Sequence, residues 1–166
     1  SAERGEGLEE LSQAIMRKTA SLRHPDIDYE DENLQNAMDQ LTEYYLQYHA
    51  KVCCNSFDGT EYLMDLACLI QADLHAGGFE IPHMKLLAWE SEGDFGKVDI
   101  LGVERPIETT HSFVSPCTEL DVILNANAVC PVDRLENSIG EIISAVSQRY
   151  ELEISVTKKE CFNLGE

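Results

Sequence analysis

Apolar and polar positions alternate most clearly in LTEYYLQYHAKVCC. Tyr44, Leu46, Tyr48, Ala50, Val52 and Cys54 fall on one face, with Tyr45, Gln47, His49, Lys51 and Cys53 on the other. A period of two with one apolar face predicts a half-buried strand. The period then lengthens. In SFDGTEYLMDLACLIQADLHAGGF the apolar stripe is Leu63, Leu66, Ala67, Ile70 and Leu74, which predicts a helix. Asp58 and Glu61 form a capping-box pattern at its start, and Gly77-Gly78 stops it.

EIPHMKLLAWES and GKVDILGVE follow as two strand-like runs divided at Gly93 and Gly96. After a Pro- and Thr-rich stretch, ELDVILNANAVC reads as a strand with Leu120, Val122, Leu124, Ala126 and Ala128 inward. Pro131 opens a second helix, carried by Leu135, Ile139, Ile142, Ile143 and Val146. YELEISVT alternates Leu152, Ile154 and Val156 as a last strand. Each helix follows a strand and returns to one. That order predicts an α+β fold, a ferredoxin-like α/β plait: a mostly antiparallel sheet with two helices on one face. The run GKVDILGVE is an addition at its edge or a widened connection.

Upstream, Leu8, Leu11 and Ile15 give a helix from Gly5 to about Leu22, an additional N-terminal helix whose apolar stripe lacks an evident partner. Arg17, Lys18 and Arg23 suit its C-terminal dipole, and His24-Pro25 ends it. The expected organisation is an N-terminal helical piece over 1–24, an acidic linker with a short helix over 25–40, and the plait over 41–166.

Charge removes whole classes of function. With 31 acidic residues against 12 basic, the net charge is −19. Phosphate-backbone binding needs clustered Lys and Arg, so no nucleic-acid partner is expected. Anionic membrane surfaces are disfavoured for the same reason, and no run has the roughly 20 apolar residues of a membrane span. Six cysteines without a CxxC pair point to reduced thiols and a cytoplasmic setting. Core packing is expected for Cys54, Cys68 and Cys130, and loop-like surroundings for Cys117 and Cys161.

Strand parity sends His49 and Cys53 to the face away from the helices, with His83 and Lys85 from a second strand and Asn125 and Asn127 from a third. Imidazole and thiolate suit Zn²⁺ or Co²⁺, so His49, Cys53 and His83 are candidate metal ligands. Lys85, Asn125 and Asn127 are a candidate interaction surface. The same residues are equally ordinary on an uncovered sheet face. No phosphate loop, dinucleotide fingerprint, nucleophile elbow or HExxH occurs, so no catalytic residue and no cofactor are expected in this chain itself.

Short motifs give the chain a relation. SAERGEGLEEL resembles the end of a GTPase domain, a Ser-Ala loop bordering the guanine pocket and then a last helix beginning G-x-G-L-x-E-L. DIDYE, FDGTEYLMDLACLI, EIPHMKLLAWE, ELDVILNANAVCPVDRLENSIGEII and ECFNLGE are similar, in that order, to the C-terminal half of CobW-type GTPases. The resemblance implies that 1–24 is the remnant of an N-terminal P-loop GTPase domain. That domain would hold GTP and Mg²⁺ and act in metal insertion or cobalamin-related metabolism. The plait would be its accessory domain, relaying nucleotide state to a client protein or metal, and His83 and Lys85 match an H-x-K strand of that family. Its phosphate loop, Mg²⁺ residues and Cys-x-Cys-Cys motif are not in this chain, so GTP hydrolysis by the chain itself is not expected. The rival readings are a stand-alone protein-interaction or small-ligand module without a GTPase, and metal storage or sensing.

Overall fold

The computed structural model of the chain describes residues 32–53 and 55–165. The expected helix at 5–22, its reading as a GTPase remnant and Cys54 lie outside the described residues. Glu32–Glu166 forms one compact unit. It therefore takes in the short helix expected within 25–40, here α1 (Glu32–Asp39), which buries none of its residues.

Strand β1 (Leu41–Val52) keeps its alternation over almost its whole length, with Thr42, Tyr44, Leu46, Tyr48 and Ala50 buried. Helix α2 (Gly59–Ala76) starts where expected, because the Asp58 carboxylate accepts from the Thr60 and Glu61 backbone N–H groups. It stops in a Schellman arrangement: Phe79 N–H bonds to Leu74 C=O and Gly78 N–H to His75 C=O. The left-handed residue this requires is Gly78, at φ 73°, while Gly77 stays right-handed.

β2 (Glu80–Trp89), β3 (Phe95–Ile100), β4 (Glu108–His111) and β5 (Glu119–Val129) follow, then α3 (Val132–Arg149) and β6 (Leu152–Asn163). The six strands form one antiparallel sheet in the order β4-β3-β2-β5-β1-β6. β5 lies between β2 and β1, and β1 between β5 and β6, so each helix connects two strands separated by a third. That interleaving is the split βαβ pattern expected from the order of elements. β3 extends the sheet beyond β2, as the edge reading of GKVDILGVE anticipated, and β4 adds a short outer strand that no expectation included.

Both helices pack on one face of the sheet. Tyr48 from β1, Tyr62 from α2 and Ser147 from α3 join through hydroxyls, at 2.9 Å for Tyr48–Tyr62 and 3.3 Å for Tyr62–Ser147. Burial pushes the Tyr48 phenol far above its ordinary range, so this chain of hydroxyls stays neutral. Leu63, Leu66, Ile70 and Leu74 of α2 close over Met84, Leu86 and Leu124 in a single core. Cys130 packs in it as expected. Two expectations for the cysteines fail. Cys68 is exposed, because it sits off the α2 stripe. Cys161 is in a strand and half-buried, not in a loop. Cys117 lies in the connection between β4 and β5, as expected, but is fully buried there, held by a β-bridge to Phe57, and burial pushes its thiol up to about 12.

Candidate functional site

The second face of the sheet carries no helix among the described residues, and register fixes what stands beside what on it. On β5, Asn127 faces His83 of β2 and Glu43 of β1. Two residues on, Asn125 faces Lys85 and Tyr45, and Lys85 in turn faces Asp99 of β3. The next row is Lys97, Leu87, Ile123 and Gln47, and the last holds Phe95, Trp89, Asp121 and His49. His83, Lys85, Asn125 and Asn127 therefore form one block of four, with a strip of Leu87, Ile123 and Trp89 beside it.

The metal grouping is not brought together. His49 and His83 share the face but stand at opposite ends of it. His49 is level with Trp89, six residues along β2 from His83, or about 20 Å. His49 instead meets Asp121 at 3.2 Å and Glu119 at 3.8 Å. Cys53 lies past the end of β1, with its thiol directed to Glu153 at 3.7 Å. Among the described residues no set of three or more His, Cys, Asp or Glu side chains is placed to hold a metal ion.

The interaction grouping is brought together, and Asp99 organises it from below. Its side chain is 9% exposed and accepts from Lys97 Nζ at 2.8 Å and Thr110 Oγ1 at 3.2 Å, with His83 Nε2 at 3.8 Å. Burial works to raise the Asp99 carboxyl. The bond and charge of Lys97, the Thr110 hydroxyl and the charge of Lys85 outweigh it and hold the group below its ordinary 3.8. Asp99 is thus ionised at neutral pH and fixes the cations around it. Lys97 and Asp99 were not singled out in the sequence, although alternation through GKVDILGVE places both on the parity of an outward face. Asn127 Oδ1 is buried and has no hydrogen-bond partner among the described residues.

A second surface feature had no signal in the sequence. Between α3 and β6 runs an open groove of about 420 Å³ floored by Tyr44, Leu46, Ile143, Leu152, Ile154 and Val156. Val156 is 56% exposed there. Its rim carries the Glu136–Lys159 ion pair. The groove is apolar and offers no chemistry of its own.

Among the described residues no helix is long and apolar enough to cross a membrane. Compared with protein-family models, curated proteins and solved structures, the chain matches none.

Proposed function

We propose that this chain is a binding and coupling module whose open sheet face is its contact surface. The observation that carries this reading is the asymmetry of the sheet. One face is filled by α2 and α3, while the other presents a convergent polar block beside Leu87, Ile123 and Trp89. Half-buried apolar side chains next to fixed polar groups are the composition of a recognition surface. On the resemblance to CobW-type GTPases, the partner across that face is a P-loop GTPase domain or the client that it serves, in the cytoplasm. GTP and Mg²⁺ belong to that domain, and a transferred Zn²⁺ or Co²⁺ would be cargo. The nucleotide state of the GTPase would set the affinity of the contact, which is what coupling means thermodynamically.

The test is a titration of the chain against a CobW-type GTPase domain loaded with a non-hydrolysable GTP analogue or with GDP. The expected result is at least a ~10-fold difference in affinity between the two states, within the usual range of allosteric coupling. Leu87→Asp, in the middle of the open face, should abolish the tighter binding. Equal affinities, or no binding in either state, would remove the GTPase reading and leave a stand-alone interaction module.

A further inference from the structure

The groove between α3 and β6 lies on the helix side of the sheet, away from the contact face, and no reactive group lines it. One polar group nevertheless opens into it. Tyr44 lines the groove and is 1% exposed, yet its hydroxyl has no hydrogen-bond partner among the described residues. The other phenols packed under the helices do have partners: Tyr48 bonds to Tyr62, Tyr62 to Ser147, and Tyr150 to Asp65. Among the described residues, Asn127 Oδ1 is the one unpartnered side-chain polar atom sealed from solvent. The Tyr44 hydroxyl is therefore not sealed, and the groove is its access. Burial, with Cys161 and Glu136 nearby, pushes the phenol up to about 12, so at neutral pH it is an uncharged donor and acceptor.

The walls leave room for something to reach it. Gly140 and Ser144 line the α3 side, and a Cβ at Gly140 would meet nothing within 4 Å. Glycine in mid-helix is a poor helix former, and no neighbouring atom accounts for this one. On the β6 side, Val156 stands opposite the buried Tyr48 in register and so faces the helices, but it is 56% exposed. Charge is balanced as well. Among the described residues only Glu136 and Lys159 bring charge to the lining, and they pair with each other, in a chain of net charge −19.

We infer that this groove binds a small amphipathic molecule: an apolar chain lying along Leu152, Ile154 and Val156, with an uncharged hydroxyl or carbonyl head at Tyr44. The volume of about 420 Å³ falls within the roughly 300 to 1,000 Å³ of small-molecule sites. A purely apolar ligand would leave the Tyr44 hydroxyl without a partner. A charged head of either sign would meet the like member of the Glu136–Lys159 pair. A docked helix has its own N–H and C=O groups already bonded and brings none to the groove floor. This site is separate from the contact face and stands or falls without it.

The test is an amide-resolved NMR titration of the full chain with 1-octanol, up to about 1 mM. Octanoate and octylammonium are the charged comparisons. The expected result is a set of octanol shifts confined to residues 44–46, 140–148 and 152–159. Either ion should bind at least ~5-fold more weakly, and Tyr44→Phe should weaken octanol by at least ~3-fold, the scale of one net hydrogen bond. Val156→Glu, at an exposed position, should abolish binding. No shifts, equally large shifts at Leu87 and Ile123, equal binding of either ion, or unchanged binding by Tyr44→Phe would each overturn the proposal. Loss of the folded amide spectrum in Tyr44→Phe would overturn it too, because the hydroxyl would then serve the fold. So would a dimer seen by sedimentation that Val156→Glu dissociates, since the groove would then belong to a second copy.

Discussion

The two faces of β5 belong to the same eleven residues and lead different lives. Leu120, Val122, Leu124, Ala126 and Ala128 point to the helices and are fully buried. Asp121, Ile123 and Asn127 point the other way and are partly buried, and Asn125 beside them is exposed. The inward set is chosen by volume and by the absence of polar atoms, since close packing tolerates neither voids nor unpaired groups. The outward set breaks that discipline, most plainly at Asn127, whose Oδ1 is buried without a partner. Where one strand obeys the packing rule on one side and departs from it on the other, the departure is what the proposed contact face rests on.

The comparison is broken most severely from the inside. Leu124 lies between Leu46 and Leu86 in register, all three facing the helices. Leu124→Ala should cost about 2 to 5 kcal/mol by urea unfolding, through lost transfer energy and a residual cavity. Asn125→Ala, one residue away on the other face, should move stability by less than about 0.5 kcal/mol. Similar costs for the two would mean that the open face is a structural core in its own right.

Asp99 gives the next largest effect, because among the described residues it is the one outward carboxylate that the fold encloses. Its carboxyl is held below 3.8, so it contributes stability that is complete above that value and is lost as the pH falls through its lower folded value. Asp99→Asn should cost about 1.5 to 3 kcal/mol at neutral pH, the range for hydrogen bonds to charged groups. The cost should shrink toward zero on acidification, measured as urea midpoints from neutral pH to below 3.8. A cost independent of pH would show that Asp99 acts by shape and not by charge. Smaller again, Tyr48→Phe should lose about 1 kcal/mol, since it removes the 2.9 Å bond to Tyr62 but leaves Tyr62 bonded to Ser147.

How much of this was legible follows from the same contrast. Burial leaves a period in the chain, so β1, β5 and the stripes of α2 and α3 could be read directly from apolar spacing. β4 could not, because all four of its residues are exposed and nothing apolar repeats. β6 was legible only to Thr157. There a bulge opposite Gln47 and Tyr48 shifts the parity, so that Lys159 and Cys161 take inward positions a strict alternation would not give them. That Lys85, Asn125 and Asn127 share a face was readable from parity, but that they stand side by side depends on the register of β2 against β5. The distance between His49 and His83 was not readable either, since it depends on the register of β1 and β2 against β5, strands far apart in sequence.

The smallest expected change bears most directly on the open face. A buried acceptor without a donor contributes nothing to stability and carries a desolvation cost, so its removal should be neutral or favourable. Asn127→Ala would then leave the free energy of urea unfolding unchanged or raise it by up to about 1 kcal/mol, even though the side chain it deletes is partly buried beside His83. Leu124→Ala, three residues earlier on the same strand, would be the destabilised control. A loss of more than about 1 kcal/mol in Asn127→Ala would mean that its amide is already paired in the folded chain. Asn127 would then belong to the architecture, and the recognition block would shrink to Lys85 and its neighbours. A neutral or stabilising result would mean that the fold does not need Asn127 at a position where it bears the desolvation cost of its amide.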